Sequence, residues 1–532
     1  MVEQPIDTVT PTPATFRFRL QTFFALLAGV RRHDFRSAAT FAEMKFPNDP
    51  APVRFVKFLG WAFKQMLIDI PDAITDSRFG PDVSEVPFWL SKGNPWENHP
   101  WRNDRSAKLP AKAHTVVIGC GLFGGAMAYH WSKKAGDEKL IVLEMNEAAS
   151  GSGGRNEGLV VMGRYYQYVH KTVIAHLPIA RADLSQADHD LLARQFAAKY
   201  CDAAYRNADM LEQTVKDEQF ECDYRRTGWI QASDGEPSDQ QELAKSAQAA
   251  IDSGFKDWST LTAEQVYEKT GMRVNGLAGF SIAAASFHPA KWIWSLVRTA
   301  IDSGKVQLYS RTRVARVEDA GEHYVVHTER GTVQARYVVN ATESYTPMLH
   351  RQFSNLLRPT QTQAATGDGG PAGIKPHIGI SNQRGFYAKH GDQVMVGSDA
   401  TRVPDHEAGR IQPSRFLTKY LLGELKKIYG HSAYTLQNEW SGTVTYTPDE
   451  YPIVGLMDGK RQYIVGGAAG SGTGVSFNSG RCVVNRILGI TDEPDDYPEA
   501  YFSPTRLLDP ANHRWPELNE AESVRTYQVI DG

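Results

Sequence analysis

Residues 114–125 read His-Thr-Val-Val-Ile-Gly-Cys-Gly-Leu-Phe-Gly-Gly. The apolar run Thr115–Ile118 contains two valines and an isoleucine, which is typical of a buried parallel strand. Three glycines follow at GxGxxG spacing. Gly119 permits a tight turn, Gly121 lets the backbone approach a pyrophosphate, and Gly124 lets helix and strand pack closely. The stretch therefore predicts the first turn of a dinucleotide-binding βαβ unit.

The helix and the second strand that follow fit the same unit. A helix is expected to begin near Leu122, where its free N–H groups and positive dipole end point at the phosphates. A second apolar run, Leu140–Leu143, ends in Glu144, twenty residues after Gly124. A carboxylate there accepts hydrogen bonds from ribose hydroxyls and repels a 2′-phosphate. A lone glycine-rich turn is weak evidence for such a site. A dinucleotide site is favoured over a structural turn by the full succession of strand, turn, helix, strand and acid.

Two further runs of small residues accompany this unit. Ala148–Gly158 reads Ala-Ala-Ser-Gly-Ser-Gly-Gly-Arg-Asn-Glu-Gly, and Gly466–Gly474 reads Gly-Gly-Ala-Ala-Gly-Ser-Gly-Thr-Gly. Such runs cannot build a core, but they let the backbone lie flat against a ligand. The second run joins an expected strand, Gln462–Gly467, to an expected helix near Ser476–Leu488, so its N–H groups could face the same cofactor. The first run could instead be a flexible surface loop, but its position just after the predicted ribose-binding acid favours a cofactor contact.

Composition sets broad limits. The chain has 532 residues, 41% hydrophobic and 22% charged, with a formal net charge of -3. This length exceeds that of a typical single domain, and the near-neutral charge gives no reason to expect nucleic acid as a partner. The four scattered cysteines form no CxxC pair, so we expect no disulfide framework, no metal site and a reducing, cytoplasmic location. No apolar run is long enough to suggest a spanning helix, and no secretory signal is expected.

Residues 1–110 precede the dinucleotide unit and are expected to form a helical extension and an arm. Its first residues, rich in Pro and Thr, read as a loose tail. Phe16–Val30 and Val53–Ile70 read as helices. The second mixes aromatic and aliphatic residues with three basic ones, as interfacial amphipathic helices do. Because surface helices share this pattern, packing on the main body or on another copy of the chain is favoured over membrane contact.

Elsewhere, periodicity predicts further elements. Helices are expected over 183–216, 240–253 and 416–428, and strands over 220–232, 306–335, 337–340 and 359–400. The proline-rich tail after Asp492 is uninformative.

Four blocks of sequence resemble a known family. They are the first glycine motif with Glu144, the loop Arg155-Asn156-Glu157-Gly158, Phe287-His288-Pro289 with the helix after it, and the stretch from Thr447-Pro448-Asp449 to Gly474. Together, over about residues 113–490, they resemble the FAD-dependent D-amino-acid oxidase superfamily, in the branch with glycine, sarcosine and γ-glutamylputrescine oxidases. The blocks are specific to the superfamily but not to a substrate.

The resemblance implies an α/β fold with noncontiguous domains. A Rossmann-type FAD-binding domain would comprise residues 111–175, 281–350 and 440–495. A mixed-sheet substrate domain of α+β type would comprise residues 176–280 and 351–439. The helical extension 1–110 and a C-terminal tail, 496–532, would flank these two domains.

The motif and the resemblance together place a set of residues at the FAD. In this set, the backbone of Val314 would contact the adenine end, and the turn Gly470–Thr473 would lie beside the flavin ring. The full set is Gly119, Gly121, Leu122, Phe123, Gly124, Glu144, Ser150, Gly151, Gly154, Arg155, Asn156, Glu157, Val314, Ala341, Gly442, Gly470, Ser471, Gly472, Thr473 and Gly474.

Several positions depart from what relatives carry. Sarcosine oxidases attach FAD through a cysteine a few residues before Thr-Pro-Asp, but Gly442–Tyr446 contains no cysteine. Arg155-Asn156 stands where some relatives carry a flavin-linked histidine, so noncovalent FAD is expected. Glu157 replaces a glycine common in the family loop, and its carboxylate could face a cationic amine or cap a helix.

The substrate side is less well defined. Gly474-Val475 stands where sarcosine oxidases place a substrate-binding lysine. Tyr387-Ala388-Lys389-His390 stands where amino-acid oxidases often place a carboxylate-binding arginine, which argues against a simple α-amino acid. Tyr387, Lys389 and His170 are candidates for lining the substrate pocket, although each could instead be packing or solvated.

The expected reaction is oxidation of a C–N bond in an amine or N-substituted amino acid. The α-carbon gives a hydride to the flavin, water hydrolyses the resulting imine, and O2 takes the electrons to form H2O2. One alternative is a dehydrogenase that passes electrons to a quinone or carrier protein, with the N-terminal helices touching a membrane or partner. Another is a non-catalytic flavin-binding protein whose extension is the working surface, and that extension could also join copies of the chain.

Overall fold

The computed structural model describes most of the chain outside its two ends. The described residues are 14–30, 49–74, 83–99, 108–162, 166–368, 373–398, 401–402 and 435–519, without positions 92, 234, 253, 256 and 383–384, together with isolated residues in the gaps. The predicted loose tail at the start of the chain lies outside the described residues. So does most of the predicted helix 416–428, although the positions described within it are helical.

Helices form the described part of the chain before residue 83, and both helices and strands follow from residue 112 onwards. The helices are α1 Phe16–Val30, α2 Ala51–Lys64, α3 Ile70–Ile74, α4 Leu122–Lys134, α5 Tyr166–Ala180, α6 Gln186–Asp217, α7 Pro237–Asp252, α8 Ala263–Thr270, α9 Pro289–Asp302, α10 Thr346–Leu349, α11 Gly472–Leu488, α12 Glu499–Phe502 and α13 Thr505–Leu508. The strands are β1 Lys112–Ile118, β2 Leu140–Leu143, β3 Leu159–Val160, β4 Trp229–Ala232, β5 Trp258–Leu261, β6 Ala278–Ser281, β7 Ala285–Ser286, β8 Val306–Tyr309, β9 Val314–Asp319, β10 Tyr324–Thr328, β11 Gly331–Asn340, β12 Arg358–Asp368, β13 Gly379–Asn382, β14 Gly385–His390, β15 Gln393–Ser398, β16 Thr401–Arg402, β17 Thr435–Tyr446, β18 Ile453–Leu456 and β19 Gln462–Gly466.

The first large sheet is built around β1. Its parallel strands follow the order β8, β2, β1, β11 and β19, and β18 joins the edge antiparallel to β19. The hairpin β9–β10 extends β11. Val116 and Val117 are fully buried, as expected for a strand covered on both faces. Helix α4 packs against α9 and α11. Because β8, β2, β1, β11 and β19 run parallel, their carboxyl ends meet at one edge of the sheet.

The second large sheet is mostly antiparallel and has nine strands. Its order is β16, β12, β15, β14, β13, β4, β6 and β5, with β17 also paired to β12. Only β13 and β4 run parallel among its pairs in the described residues. A separate apolar cluster that includes Ile230, Ile380 and Val396 packs on this sheet. The predicted α/β fold class with mixed sheets is confirmed.

Two segments illustrate how the structure departs from the sequence-based prediction. The predicted strand over 220–232 is wrong in its first part, because Asp223 has a φ of 54° and an extended strand begins only at Trp229. Helix α5 was not predicted, since its β-branched residues and Pro178 weaken the helical signal. By contrast, α6 begins close to the predicted position, where Ser185 and Asp188 form a capping box.

The C-terminal tail is tied to the core, although its sequence gave no indication of this. The Arg506 guanidinium forms an ion pair with Asp449 at 2.7 Å, and both side chains are almost completely buried. The same arginine donates to the carbonyl of Tyr451 at 3.0 Å. The tail therefore holds the turn that follows β17.

None of the helices in the described part of the chain has both the length and the apolar character needed to cross a membrane.

Candidate functional site

A cavity of about 530 Å³ lies at the edge of the first sheet where the parallel strands end. Its walls include the residues that follow three of these strands, namely Gly119 after β1, Glu144 after β2 and Ala341 after β11. The strand ends are held together by backbone hydrogen bonds, in which Gly119 donates to Leu143 at 2.8 Å and Ala341 donates to Ile118 at 2.9 Å. Ligands of open α/β sheets bind at this kind of edge.

The three glycines of the first motif meet different surroundings. Gly119 has a φ of 104°, and a Cβ there would lie 2.6 Å from the carbonyl oxygen of Ala341. A Cβ at Gly124 would lie 1.9 Å from the carbonyl oxygen of Gly119, so strand and helix touch at this point. A Cβ at Gly121 would meet nothing within 4 Å. The second glycine therefore leaves open space at the start of α4, where the helix presents free N–H groups.

Glu144 is held rigidly at the end of β2. Its carboxylate accepts hydrogen bonds from the backbone N–H groups of Cys120 and Asn146, each at 2.8 Å. Burial raises the pKa of Glu144, and these two hydrogen bonds oppose the shift. The carboxylate thus joins the turn after β1 to the end of β2 and still lines the cavity.

The loop of small residues carries a cation to the cavity wall. Arg155 donates from Nε to the carbonyl of Ser150 at 2.8 Å and from Nη1 to the carbonyl of Ser441 at 3.0 Å. Among the described residues, no carboxylate forms an ion pair with Arg155. Burial lowers the pKa of its guanidinium. The site therefore presents a guanidinium that forms no ion pair with an acid of the described residues, although Glu144 lines the same cavity.

Glu157 places a carboxylate in the same wall. The side chain is half-buried and lines the cavity, and no described residue donates a hydrogen bond to its carboxylate. Burial raises the pKa of Glu157 to about 7. Its backbone carbonyl lies 3.0 Å from Nε2 of His390, which fixes the position of the loop against the second sheet.

An arm from the N-terminal extension supports this loop. The indole of Trp89 is buried and donates from Nε1 to the carbonyl of Asn156 at 2.7 Å. Its ring packs edge-on against His288 and His390, with centroids 5.0 and 4.7 Å apart. A Cβ at Gly158 would lie 2.5 Å from the same ring. Sequence reasoning missed Trp89, since only the fold brings it to the loop.

Glu343 was also missed. It lines the cavity with a φ of 50°, and its carboxylate accepts from the backbone N–H groups of Gly467 at 2.6 Å and Ala468 at 3.2 Å. Burial raises the pKa of Glu343 to about 7. Its position three residues after β11, at the edge where the parallel strands end, was the available signal.

Most of the predicted cofactor residues line the cavity. They are Gly119, Gly121, Leu122, Phe123, Glu144, Ser150, Gly151, Arg155, Asn156, Glu157, Val314, Ala341, Gly470, Gly472 and Thr473. The predicted positions behind this wall are Gly124, Gly154, Gly442, Ser471 and Gly474. Gly154 illustrates their packing role, because a Cβ there would lie 2.1 Å from the carbonyl oxygen of Ala149.

The three candidates for the substrate pocket lie away from this cavity. Nε2 of His170 lies 2.8 Å from Oδ1 of Asp190, between α5 and α6. Tyr387 is buried in the apolar cluster of the second sheet, and Lys389 is half-buried on the same strand. The structure does not bring the three together, and their roles remain predictions.

These features fit a dinucleotide with a pyrophosphate. Gly121 and Gly151 both leave open space where a Cβ would stand, the cavity wall carries the Arg155 cation, and Glu144 offers acceptor atoms. The two runs of small residues line the same cavity, through Ser150–Gly153 and through Gly470, Gly472 and Thr473. The described wall contains one cysteine, Cys120, and no histidine.

Known structures share this fold. L-proline dehydrogenase from P. horikoshii is similar with a TM-score of 0.60 and 19% identity, over 75% of this chain and 98% of that protein. Glycine oxidase from Geobacillus kaustophilus is similar with a TM-score of 0.61 and 15% identity, over 74% of this chain and 98% of that protein. Iminodiacetate oxidase from Chelativorans sp. BNC1 is similar with a TM-score of 0.57 and 16% identity, over 74% of this chain and 99% of that protein. At these identities the likeness concerns the fold.

The sequence itself identifies the family. No curated protein matches the chain significantly by sequence. Residues 114–486, most of the chain, match the family DAO, described as FAD dependent oxidoreductase. The chain therefore belongs to the DAO family of FAD-dependent oxidoreductases.

Proposed function

We propose that the protein oxidises a C–N bond of an amine or N-substituted amino acid, with FAD held noncovalently in the cavity. The observation that carries this proposal is the open space at Gly121 beside the buried Glu144, in a chain of an FAD-dependent family. The similar structures are named for amino acids or amines, including proline, glycine and iminodiacetate. These names support the substrate class but not a particular substrate.

Different residues of the cavity would contact different parts of FAD. The free N–H groups at the start of α4 would hold the pyrophosphate, and Glu144 would accept from the ribose hydroxyls. The backbone at Val314 would meet the adenine end. Arg155 and the turn Gly470–Thr473 would lie at the flavin end. FAD, when bound, supplies the acceptor for a hydride.

The chemistry of the wall supports noncovalent binding. Burial, and then the charge of Glu144, raise the pKa of the Cys120 thiol, so the nucleophilic thiolate is strongly disfavoured. The described wall contains no histidine, so that part of the cavity supplies no imidazole for a covalent link either.

Glu157 would control the protonation of the substrate. An amine must lose its proton before its α-carbon can give up a hydride. With a pKa of about 7, the Glu157 carboxylate can accept that proton from the substrate ammonium at neutral pH. The same carboxylate would attract a cationic substrate to the cavity.

The division into domains is part of this proposal. The FAD-binding domain, residues 111–175, 281–350 and 440–495, would hold the first sheet. The substrate domain, residues 176–280 and 351–439, would hold most of the second. Strand β17 crosses the boundary at residue 440 and pairs with β12, so the two would share it.

The test is an anaerobic screen of the purified holoprotein against secondary amines, polyamines and amino acids. Loss of flavin colour with one of these classes would support amine oxidation, and subsequent H2O2 in air would identify an oxidase. Bleaching followed by reduction of a quinone, without H2O2, would identify the dehydrogenase. A flavin that none of these amines bleaches would contradict the proposal.

A further inference from the structure

The N-terminal helices form a hairpin of their own, comprising α1, α2, a π-helical turn Gln65–Asp69, and α3. The rings of Phe23 and Phe63 stack with centroids 5.4 Å apart. Arg19 donates to the carbonyl of Leu67 at 2.9 Å and pairs with Asp72 at 2.6 Å. These contacts give the N-terminal hairpin a defined shape.

The hairpin exposes an unusual amount of apolar surface. Among the described residues, eight of the twelve exposed large hydrophobic side chains belong to it. They are Phe16, Phe24, Val53, Phe55, Val56, Leu59, Phe63 and Ile68. Helix α2 has no buried residue, although the sequence predicted packing on the body or on another copy as the favoured arrangement. An amphipathic helix gains most of its stability from covering its apolar face, so this face needs an occupant.

The exposed residues of α2 are arranged as a stripe. Phe55, Leu59 and Phe63 follow one another at intervals of four residues, with Val56 beside them, so all four share one face of the helix. Phe55 is 61% exposed and Val56 67%. The apolar face is therefore continuous along α2 rather than scattered over its surface.

The charges of the two long helices have one sign. Helices α1 and α2 contain five basic residues and no Asp or Glu. Arg54, Lys57 and Lys64 lie on the face of α2 opposite its apolar stripe. Lys57 pairs with Asp49 at 2.8 Å and Lys64 lies 3.9 Å from Asp69, so these acids balance part of the charge. This combination of an apolar stripe and an opposite basic face matches the boundary between acyl chains and anionic headgroups.

We propose that the N-terminal hairpin docks on the surface of an anionic lipid bilayer, with the Phe55–Phe63 stripe in the acyl boundary. A second copy of the chain fits less well, because each hairpin carries the same net positive charge, with five basic residues against Asp49, Asp69 and Asp72 among those described. Docking along the surface requires no spanning helix. The proposal does not rest on the reaction, but it would place the protein beside electron acceptors dissolved in the lipid.

The test is flotation of the full-length holoprotein with vesicles. Vesicles of phosphatidylcholine alone are compared with vesicles that also contain phosphatidylglycerol, at low and high salt. We expect the protein to float with the anionic vesicles and to be released by salt. The double variant Phe55→Gln/Val56→Gln should lower the vesicle affinity about tenfold or more. The matched control, Ile179→Gln/Tyr267→Gln, changes two exposed apolar residues elsewhere and should bind as the wild type does.

Three results would overturn the proposal. One is a protein that stays with neither kind of vesicle. Another is equal flotation with neutral and anionic vesicles, which would remove the role of the charges. The third is a dimer in analytical ultracentrifugation that the double variant abolishes, without any flotation, since a second copy would then be the occupant. Circular dichroism of the variants shows whether they remain folded.

Discussion

Gly121→Ala should separate cofactor binding from folding. The backbone at Gly121 has a φ of -91° and a ψ of -152°, which is extended and open to alanine. A Cβ at this position meets no protein atom within 4 Å. The methyl group would instead enter the space beside the start of α4, where we place the pyrophosphate of FAD. The apoprotein should therefore fold normally and bind FAD poorly.

The magnitude follows from the hydrogen bonds that the methyl group would block. A hydrogen bond to a charged group contributes about 1.5–3 kcal/mol. Losing one backbone N–H contact to a phosphate should then raise the Kd for FAD by about 10- to 150-fold. The stability of the apoprotein should not fall, because replacing glycine by alanine in an accessible conformation restricts the unfolded chain.

Two glycines supply matched comparisons. Gly124→Ala would place its Cβ 1.9 Å from the carbonyl oxygen of Gly119, so this variant should destabilise the apoprotein itself. Gly60→Ala, on α2, also meets nothing within 4 Å but lies outside the cavity wall, so it should leave FAD binding unchanged.

The assay has two parts. Apoprotein is titrated with FAD while the flavin fluorescence is followed, and the thermal unfolding of each apoprotein is followed by circular dichroism. The reasoning is refuted if Gly121→Ala binds FAD within a factor of about three of the wild type. It is also refuted if the Gly121→Ala apoprotein unfolds as early as the Gly124→Ala apoprotein.

Other substitutions test the remaining contacts. The pKa of Glu157 is raised to about 7 in the fold, so the folded apoprotein holds a proton there that the unfolded chain releases from about pH 4.5 upwards. Because of this carboxyl, the free energy of unfolding of the wild type should fall by up to about 3 kcal/mol as the pH rises from about 4.5 to 7. Glu157→Gln should remove that loss in urea unfolding, and parallel pH profiles for the two proteins would contradict this. Arg506→Met should lower the unfolding free energy by about 3–5 kcal/mol, because it leaves the Asp449 carboxylate buried without its partner. Adding Asp449→Leu should recover much of this loss, and an undiminished loss in the double variant would argue against the ion pair as its cause. Trp89→Phe keeps a ring but removes the hydrogen bond to Asn156. It should lower the free energy of unfolding in urea by about 1 kcal/mol and speed the loss of FAD on dilution. Unchanged retention of FAD would show that the arm does not support the loop.

The parts of the site that were predictable depend on local sequence. Gly119, Gly121 and Gly124 lie within one strand–turn–helix unit, whose geometry follows from the spacing of its residues. Glu144 ends the next strand, so its place at the cavity also follows from the chain order. The second run of small residues was visible as another strand–turn–helix junction, and the structure brings Gly470 to the same cavity.

The parts that were missed depend on contacts between distant segments. Trp89 meets Asn156 across 67 positions of sequence, and Glu343 holds Gly467 across 124. No local periodicity records such a contact. His170 was proposed for a pocket on residue type alone, whereas its imidazole faces Asp190 of the neighbouring helix.

The buried indole of Trp89 sets a practical limit on how this protein can be shortened. The family match begins at residue 114, which would be the natural place to start a trimmed version. Such a version would lack the ring that fills the space beside Gly158, and the carbonyl of Asn156 would lose its donor. A trimmed protein that is meant to keep its flavin should therefore start before Val83, ahead of the arm rather than at the edge of the recognisable family.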